Sequence, residues 1–133
     1  NQASGTIGAG IVGYLETAMP EMQFLEWLKD KMQASCIRHT AILGNNIQKI
    51  AVCGGSGQFL LQQAISAGAD AYISADFKYH EFFDADGQIL VADIGHFESE
   101  QFTISLLYEL ITKKFNNFAV RLTELNTNPI HYI

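Results

Sequence analysis

The feature that most constrains this chain is an alternation. Short apolar runs, each ended by Gly or Asp, are separated by segments with helical spacing. Residues 47–53 form a β-rich run that leads into Gly54-Gly55-Ser56-Gly57. Phe59, Leu60, Leu61, Ala64 and Ile65 then recur at helical spacing until Gly68 closes the segment. Residues 71–75 are a second short run, followed by Asp76 and a helix-like 77–83. Gly87 turns the chain into 89–92, which is apolar throughout and reads as a strand covered on both faces. Alternation of this kind predicts an α/β fold, a largely parallel or mixed sheet with helices on both faces in a three-layer α/β/α arrangement. The carboxyl ends of parallel strands gather at one edge, where such sheets bind ligands. Three junctions with unusual residues therefore converge there: the glycine segment after Cys53, Asp76 with Lys78 and His80, and Asp93-Ile94-Gly95-His96 leading to Glu100.

The flanks are plainer. Pro20 suits the first turn of a helix carrying Phe24, Leu25, Leu28 and Met32, with Trp27 in its core. Residues 36–41 read as extended. A long helix is predicted over 97–115, with Ile104, Leu107, Tyr108, Ile111 and Phe115 on one face, and a last strand over 118–125. The 133 residues suit one domain, 1–133, with no repeat, low-complexity tract or linker. Nine Phe and five Tyr exclude disorder, and no apolar stretch is long enough for a membrane helix. A net charge of -6 argues against a nucleic-acid partner, which calls for a basic face. Two cysteines, Cys36 and Cys53, are too few for a disulfide framework, and the first residues carry no signal-peptide pattern. A cytoplasmic chain with reduced thiols is the expectation.

Charge is concentrated. Eight acidic side chains and a single basic one, Lys78, lie between positions 70 and 100, together with His80 and His96. One reading is a solvated acidic face. The other is a cation site, since carboxylates and imidazoles are what divalent metals take as ligands. His96 and Glu100 are one helical turn apart, so their side chains can converge on one ion; an ordinary capped helix start is the alternative. A helix N-terminus is expected to lower the His96 pKa toward the neutral, ligating form. Asp76 and His80 share a face if a helix begins at Asp76, or Asp76 is simply its N-cap. Gly54, Gly55, Ser56 and Gly57 either cradle an anion or allow tight packing; the segment is neither a Walker loop nor a nucleophile elbow. Gly8-Ala9-Gly10-Ile11-Val12-Gly13 matches GxGxxG by letter, yet lacks a preceding strand and a following helix, so a structural glycine turn is expected. His39 and His131 sit on apparent strand or tail segments and read as structural.

Taken in order, 51–57, 68–73, Asp76-Phe77-Lys78-Tyr79-His80 and Asp93-Ile94-Gly95-His96-Phe97-Glu98-Ser99-Glu100 resemble the C-terminal part of the GTP cyclohydrolase 1 type 2-like family, also called Ngg-interacting-factor-like, dinuclear-metal-centre proteins. The resemblance implies a cytoplasmic hexameric ring with two divalent ions of the Zn, Fe or Mn class between an N-terminal and a C-terminal domain. It places metal ligands on His96 and Glu100. Asp76, Lys78, His80 and Asp93 become supporting or substrate-facing candidates. The implied activity is hydrolysis of a nucleotide, GTP cyclohydrolase-like; a non-catalytic metal-binding scaffold or regulatory protein is the alternative. The family's remaining ligands, an adjacent His pair and an Asp, have no counterpart here. The chain is accordingly expected to be the C-terminal half of a longer protein, with 1–7 a remnant of a preceding domain, and to be inactive and to bind metal weakly or not at all when isolated.

Overall fold

The computed structural model describes residues 8–133. The expected remnant at 1–7 lies outside them. The elements, in chain order, are β1 (Ile11–Pro20), α1 (Glu21–Lys31), β2 (Arg38–His39), β3 (Asn46–Ser56), α2 (Leu61–Ser66), β4 (Ala71–Ala75), β5 (Leu90–Asp93), α3 (His96–Glu100) and α4 (Thr103–Lys114). Two 3-10 segments, Gln58–Leu60 and Tyr79–Ala85, complete them. The fold is α/β, built on one mixed sheet in the order β1-β3-β4-β5-β2. β3, β4 and β5 are parallel, while β1 and β2 run antiparallel at the two edges.

The inner strands are what their composition demands. Every residue of β4 and of β5 is buried. Successive side chains of a strand point to opposite faces, and the apolar residues divide accordingly. Tyr72 and Val91 join a core with Ala51, Cys53, Leu61 and Ala64. Ala71, Ile73, Leu90 and Ala92 join a second core with Phe24, Leu25 and Leu28 of α1. Helices thus cover both faces, α2 on one and α1 on the other. Pro20, with φ -57°, ends β1 and leads directly into α1, as its fixed φ favours. Glu21 in the first turn accepts hydrogen bonds from the Leu43 and Gly44 amides, both at 2.8 Å, and so ties the 43–44 loop to the helix.

Several elements differ from the sequence expectation. Residues 11–20 form an edge strand, so Gly13 lies inside β1 rather than in a glycine turn. β3 continues through Gly54 and Gly55 to Ser56, because the glycine segment keeps pairing with β4 up to Ser56–Ala75 across a register shift. The extended 36–41 shrinks to two ladder residues. The 97–115 helix is two helices, with Gln101 and Phe102 as the hinge between α3 and α4. The apolar face of α4 is not packed: none of its residues is buried. No strand forms over 118–125; the segment has β-branched and aromatic residues but no free inner edge to join. Among the described residues, no helix is long and apolar enough to cross a membrane.

Candidate functional site

The parallel order of β3, β4 and β5 delivers Ser56, Asp76 and Asp93 to one rim. Asp76 follows directly on β4 and adopts a left-handed backbone, φ 59°, which Asp tolerates better than most residues. It is therefore not the N-cap of a helix, and the 3-10 segment starts only at Tyr79. Asp76 and His80 do not share a helix face. Instead the turn aims the Asp76 carboxylate at His96, the first residue of α3: Oδ2 lies 2.6 Å from His96 Nδ1. A carboxylate only accepts, so Nδ1 carries the proton. The opposite nitrogen, Nε2, lies 3.5 Å from Glu100 Oε2, one turn along α3. All three side chains are about half exposed.

The electrostatic expectation for His96 is reversed. Its pKa is raised above 6.5, first by the hydrogen bond to Asp76, with the charges of Asp76 and Glu100 adding to it and desolvation opposing. α3 has only five residues, too few aligned peptides for its dipole to outweigh two adjacent carboxylates.

The glycine segment meets the same pair from the β3 side. A Cβ on Gly55 would fall 2.7 Å from Glu100 Oε1 and 3.3 Å from His96 Nε2. Only glycine leaves that hollow open, and its φ of +63° is a second reason for it. The Gly55 amide donates to Ser99 Oγ at 2.8 Å, and the Ser99 hydroxyl donates to the His96 carbonyl at 2.8 Å. Ser99 thereby fastens α3 to β3, a role its place in the sequence did not announce. Gly57 is packed for another reason: its carbonyl accepts from the buried Tyr72 hydroxyl at 2.6 Å, and a Cβ there would sit 2.2 Å from Ser74 Oγ. Tight packing, the second of the two sequence readings, accounts for Gly55 and Gly57. Gly55 lies within β3, Gly57 is the single residue between β3 and the 3-10 segment, and α2 is a six-residue helix.

Asp93 is 4% exposed. Its Oδ2 accepts from the Phe77 amide at 3.0 Å and from Arg38 of β2, and its Oδ1 accepts from the Gly95 amide at 3.0 Å. Lys78 and His80 do not join the pair. Lys78 is largely exposed and lies 3.9 Å from Glu81, and His80 is exposed. His39 and His131 are exposed, and His39 is one of the two ladder residues of β2, paired with Ala92. The two cysteines are free, Cys36 exposed and Cys53 buried with its thiol donating to the Ala9 carbonyl. Beside His96 and Glu100 a cleft of about 650 Å³ opens between α4 and the C-terminal segment, lined by Phe97, Ile104, Leu107, Leu125 and Pro129.

As a donor set, His96 Nε2 and Glu100 are two ligands of suitable type at a suitable spacing. Among the described residues no group of three or more His, Cys, Asp or Glu side chains is disposed to hold an ion. The described residues thus offer two donors and no third.

An α/β domain with a carboxylate–histidine–carboxylate array at the carboxyl edge of its sheet is the class these observations define. The sequence matches the Duf34/NIF3 (NGG1p interacting factor 3) family over residues 3–129, and the chain belongs to that family. It is 32% identical over 129 residues to a Staphylococcus epidermidis protein named GTP cyclohydrolase 1 type 2 homolog, covering 94% of this chain and 35% of that protein. A Campylobacter jejuni protein of the same name is 31% identical over 121 residues, covering 90% and 47%. The crystal structure of a Bacillus cereus protein related to NIF3 superposes with a TM-score of 0.80 at 31% identity, over 95% of this chain and 36% of that one. The chain thus spans between a third and a half of the length of these relatives.

Proposed function

We propose that this chain supplies one half of a dinuclear metal centre, with His96 Nε2 and Glu100 as its ligands, in a protein that hydrolyses a nucleotide. The observation that carries the reading is the hydrogen bond from His96 Nδ1 to Asp76. A metal-ligating histidine characteristically donates its second ring proton to a carboxylate, which fixes the tautomer and orientation and raises the basicity of the ligating nitrogen. Asp76 does that here, and Gly55 leaves the facing hollow open. Bound divalent ions would supply a nucleophilic water at neutral pH and polarise the leaving group. The chain's own residues have separate tasks. Asp76 keeps His96 turned toward Glu100, Ser99 anchors the first turn of α3, and Lys78, exposed on the same loop as Asp76, meets an anionic part of the substrate.

The relatives named GTP cyclohydrolase 1 type 2 homolog make GTP the first substrate to try. With two donors among the described residues, the remaining ligands come from elsewhere in the intact protein, in keeping with a hexameric assembly. The test uses intact protein loaded with Zn²⁺, Mn²⁺ or Fe²⁺ and a panel of GTP and other nucleotides. Metal-dependent turnover that His96→Ala and Glu100→Ala abolish is the expected result. Metal content unchanged in the double variant overturns the ligand assignment. Metal binding without turnover of any nucleotide overturns the hydrolase and leaves a scaffold.

A further inference from the structure

The array at the rim depends on two junctions, one after β4 and one between β5 and α3. Asp76 stands in one of them with φ 59°, and His96 follows Gly95, whose φ is 91°, in the other. Gly95 is the N-cap of α3 and its carbonyl accepts the Ser99 amide at 3.0 Å, but its own N–H is not part of the helix. What joins the junctions is the carboxylate of Asp93. One oxygen accepts the amide of Phe77, the residue after Asp76; the other accepts the amide of Gly95, the residue before His96. The same side chain therefore fixes the chain direction on both sides of the Asp76–His96 hydrogen bond, yet it touches neither residue's side chain.

Arg38 completes the arrangement. Its Nη2 donates to Asp93 Oδ2 and, at 2.9 Å, to the carbonyl of Phe77. Phe77 is thus gripped by its N–H through Asp93 and by its C=O through Arg38. Arg38 lies on β2, the antiparallel edge strand opposite Asp93 in the ladder, so this short strand serves the rim as well as the sheet edge. The buried carboxylate has its lone pairs occupied by two amides and a guanidinium. A charge-assisted set of this kind is stronger and more directional than neutral hydrogen bonds.

We propose that Asp93 is a positioning residue for this centre: through Phe77 and Gly95 it sets Asp76 against His96 and so turns Nε2 toward Glu100, with Arg38 as its counter-ion. The inference rests on the metal-centre reading for its purpose, but its geometry is testable without a metal.

The experiment uses the full chain with Asp93→Asn, which preserves size and removes the charge. Long-range ¹H–¹⁵N spectra of the metal-free protein at alkaline pH, where the ring is neutral, report the His96 tautomer. The wild type is expected to show a single Nδ1–H form and Asp93→Asn a mixture, with the amide spectrum of β3, β4 and β5 unchanged. Zn²⁺ titrated into intact protein is expected to bind about 10–100-fold more weakly to the variant, the usual effect of losing an outer support of a ligand. A variant with the wild-type ring pattern and unaltered Zn²⁺ affinity overturns the proposal, even if it is less stable. If Asp93→Asn fails to fold, Arg38→Ala decides: a shift toward mixed tautomers supports the positioning role, and an unchanged ring spectrum overturns it. His96→Ala serves as the separate control. If it leaves Zn²⁺ binding intact, the metal-centre reading fails while the ring spectra still decide the role of Asp93.

Discussion

The rim at 53–57, 76 and 93–100 and the segment 103–133 are neighbours in the chain and opposites in character. In the first, polar groups are matched one by one: Asp93 to two amides and Arg38, Ser99 to Gly55 and the His96 carbonyl, Tyr72 to Gly57. In the second, α4 lays Ile104, Leu106, Leu107, Leu110 and Ile111 on its surface and buries none of them. The strands β4 and β5 that lead into the rim and the helix α4 are alike rich in apolar residues. The difference lies in what surrounds them: strands β4 and β5 have neighbours on both edges and both faces, whereas α4 meets no second layer. Apolar periodicity states that a face needs a partner; it does not supply one.

Substitutions can break or sharpen that contrast. The largest effect is expected at Leu90, fully buried in β5. Leu90→Ala should cost about 2–5 kcal/mol, measured by chemical denaturation, through lost burial and the cavity left behind. Gly57→Ala follows. Its methyl would collide with Ser74 Oγ, the Tyr72 hydroxyl and Cys53 Cβ, all within 2.8 Å, and should cost about 1–3 kcal/mol or more. Gly55→Ala forces a left-handed backbone on alanine, about 1–2 kcal/mol, and presses on His96 and Glu100, so it should disturb the His96 ring signals more than its stability cost suggests.

A gentler probe is pH. Burial pushes the Tyr72 phenol up to about 12, with Ser74 opposing. The neutral form is favoured in the folded state, so this contribution is fully present below about pH 10, the ordinary tyrosine value. It is lost as pH rises through 12. Denaturation midpoints should fall over that range, and Tyr72→Phe should flatten the fall; an unaltered slope would count against burial as the cause. The smallest effect is expected at Leu110, exposed on α4. Leu110→Ala should change stability by less than about 0.5 kcal/mol. A value near that of Leu90→Ala would show that α4 is packed in solution and would erase the comparison.

The buried strands were legible because their composition permits little else: 89–92 is apolar throughout and 71–75 is apolar but for Ser74, and β4 and β5 coincide with them to within a residue. The 11–20 edge strand was not, since Gly13, Glu16 and Thr17 dilute its alternation and its pairing with β3 is a non-local fact. The His96–Glu100 pair followed from spacing alone. The partnership of Asp76 with His96 did not, because 20 residues separate them and the helix rule pointed to His80. The same blindness explains Arg38, which lies 55 residues from Asp93.

By itself, then, the order of residues determined the inner strands, the start of α1 and the gathering of acidic junctions at one edge, because each depends on periodicity, turn chemistry and strand direction within a few residues. Tertiary structure alone decided which carboxylate orients the imidazole, why glycine must stand at 55 and 57, and that the apolar face of α4 lies open. Those outcomes depend on distances between segments far apart in the chain, and a distance exists only once the sheet has brought them together.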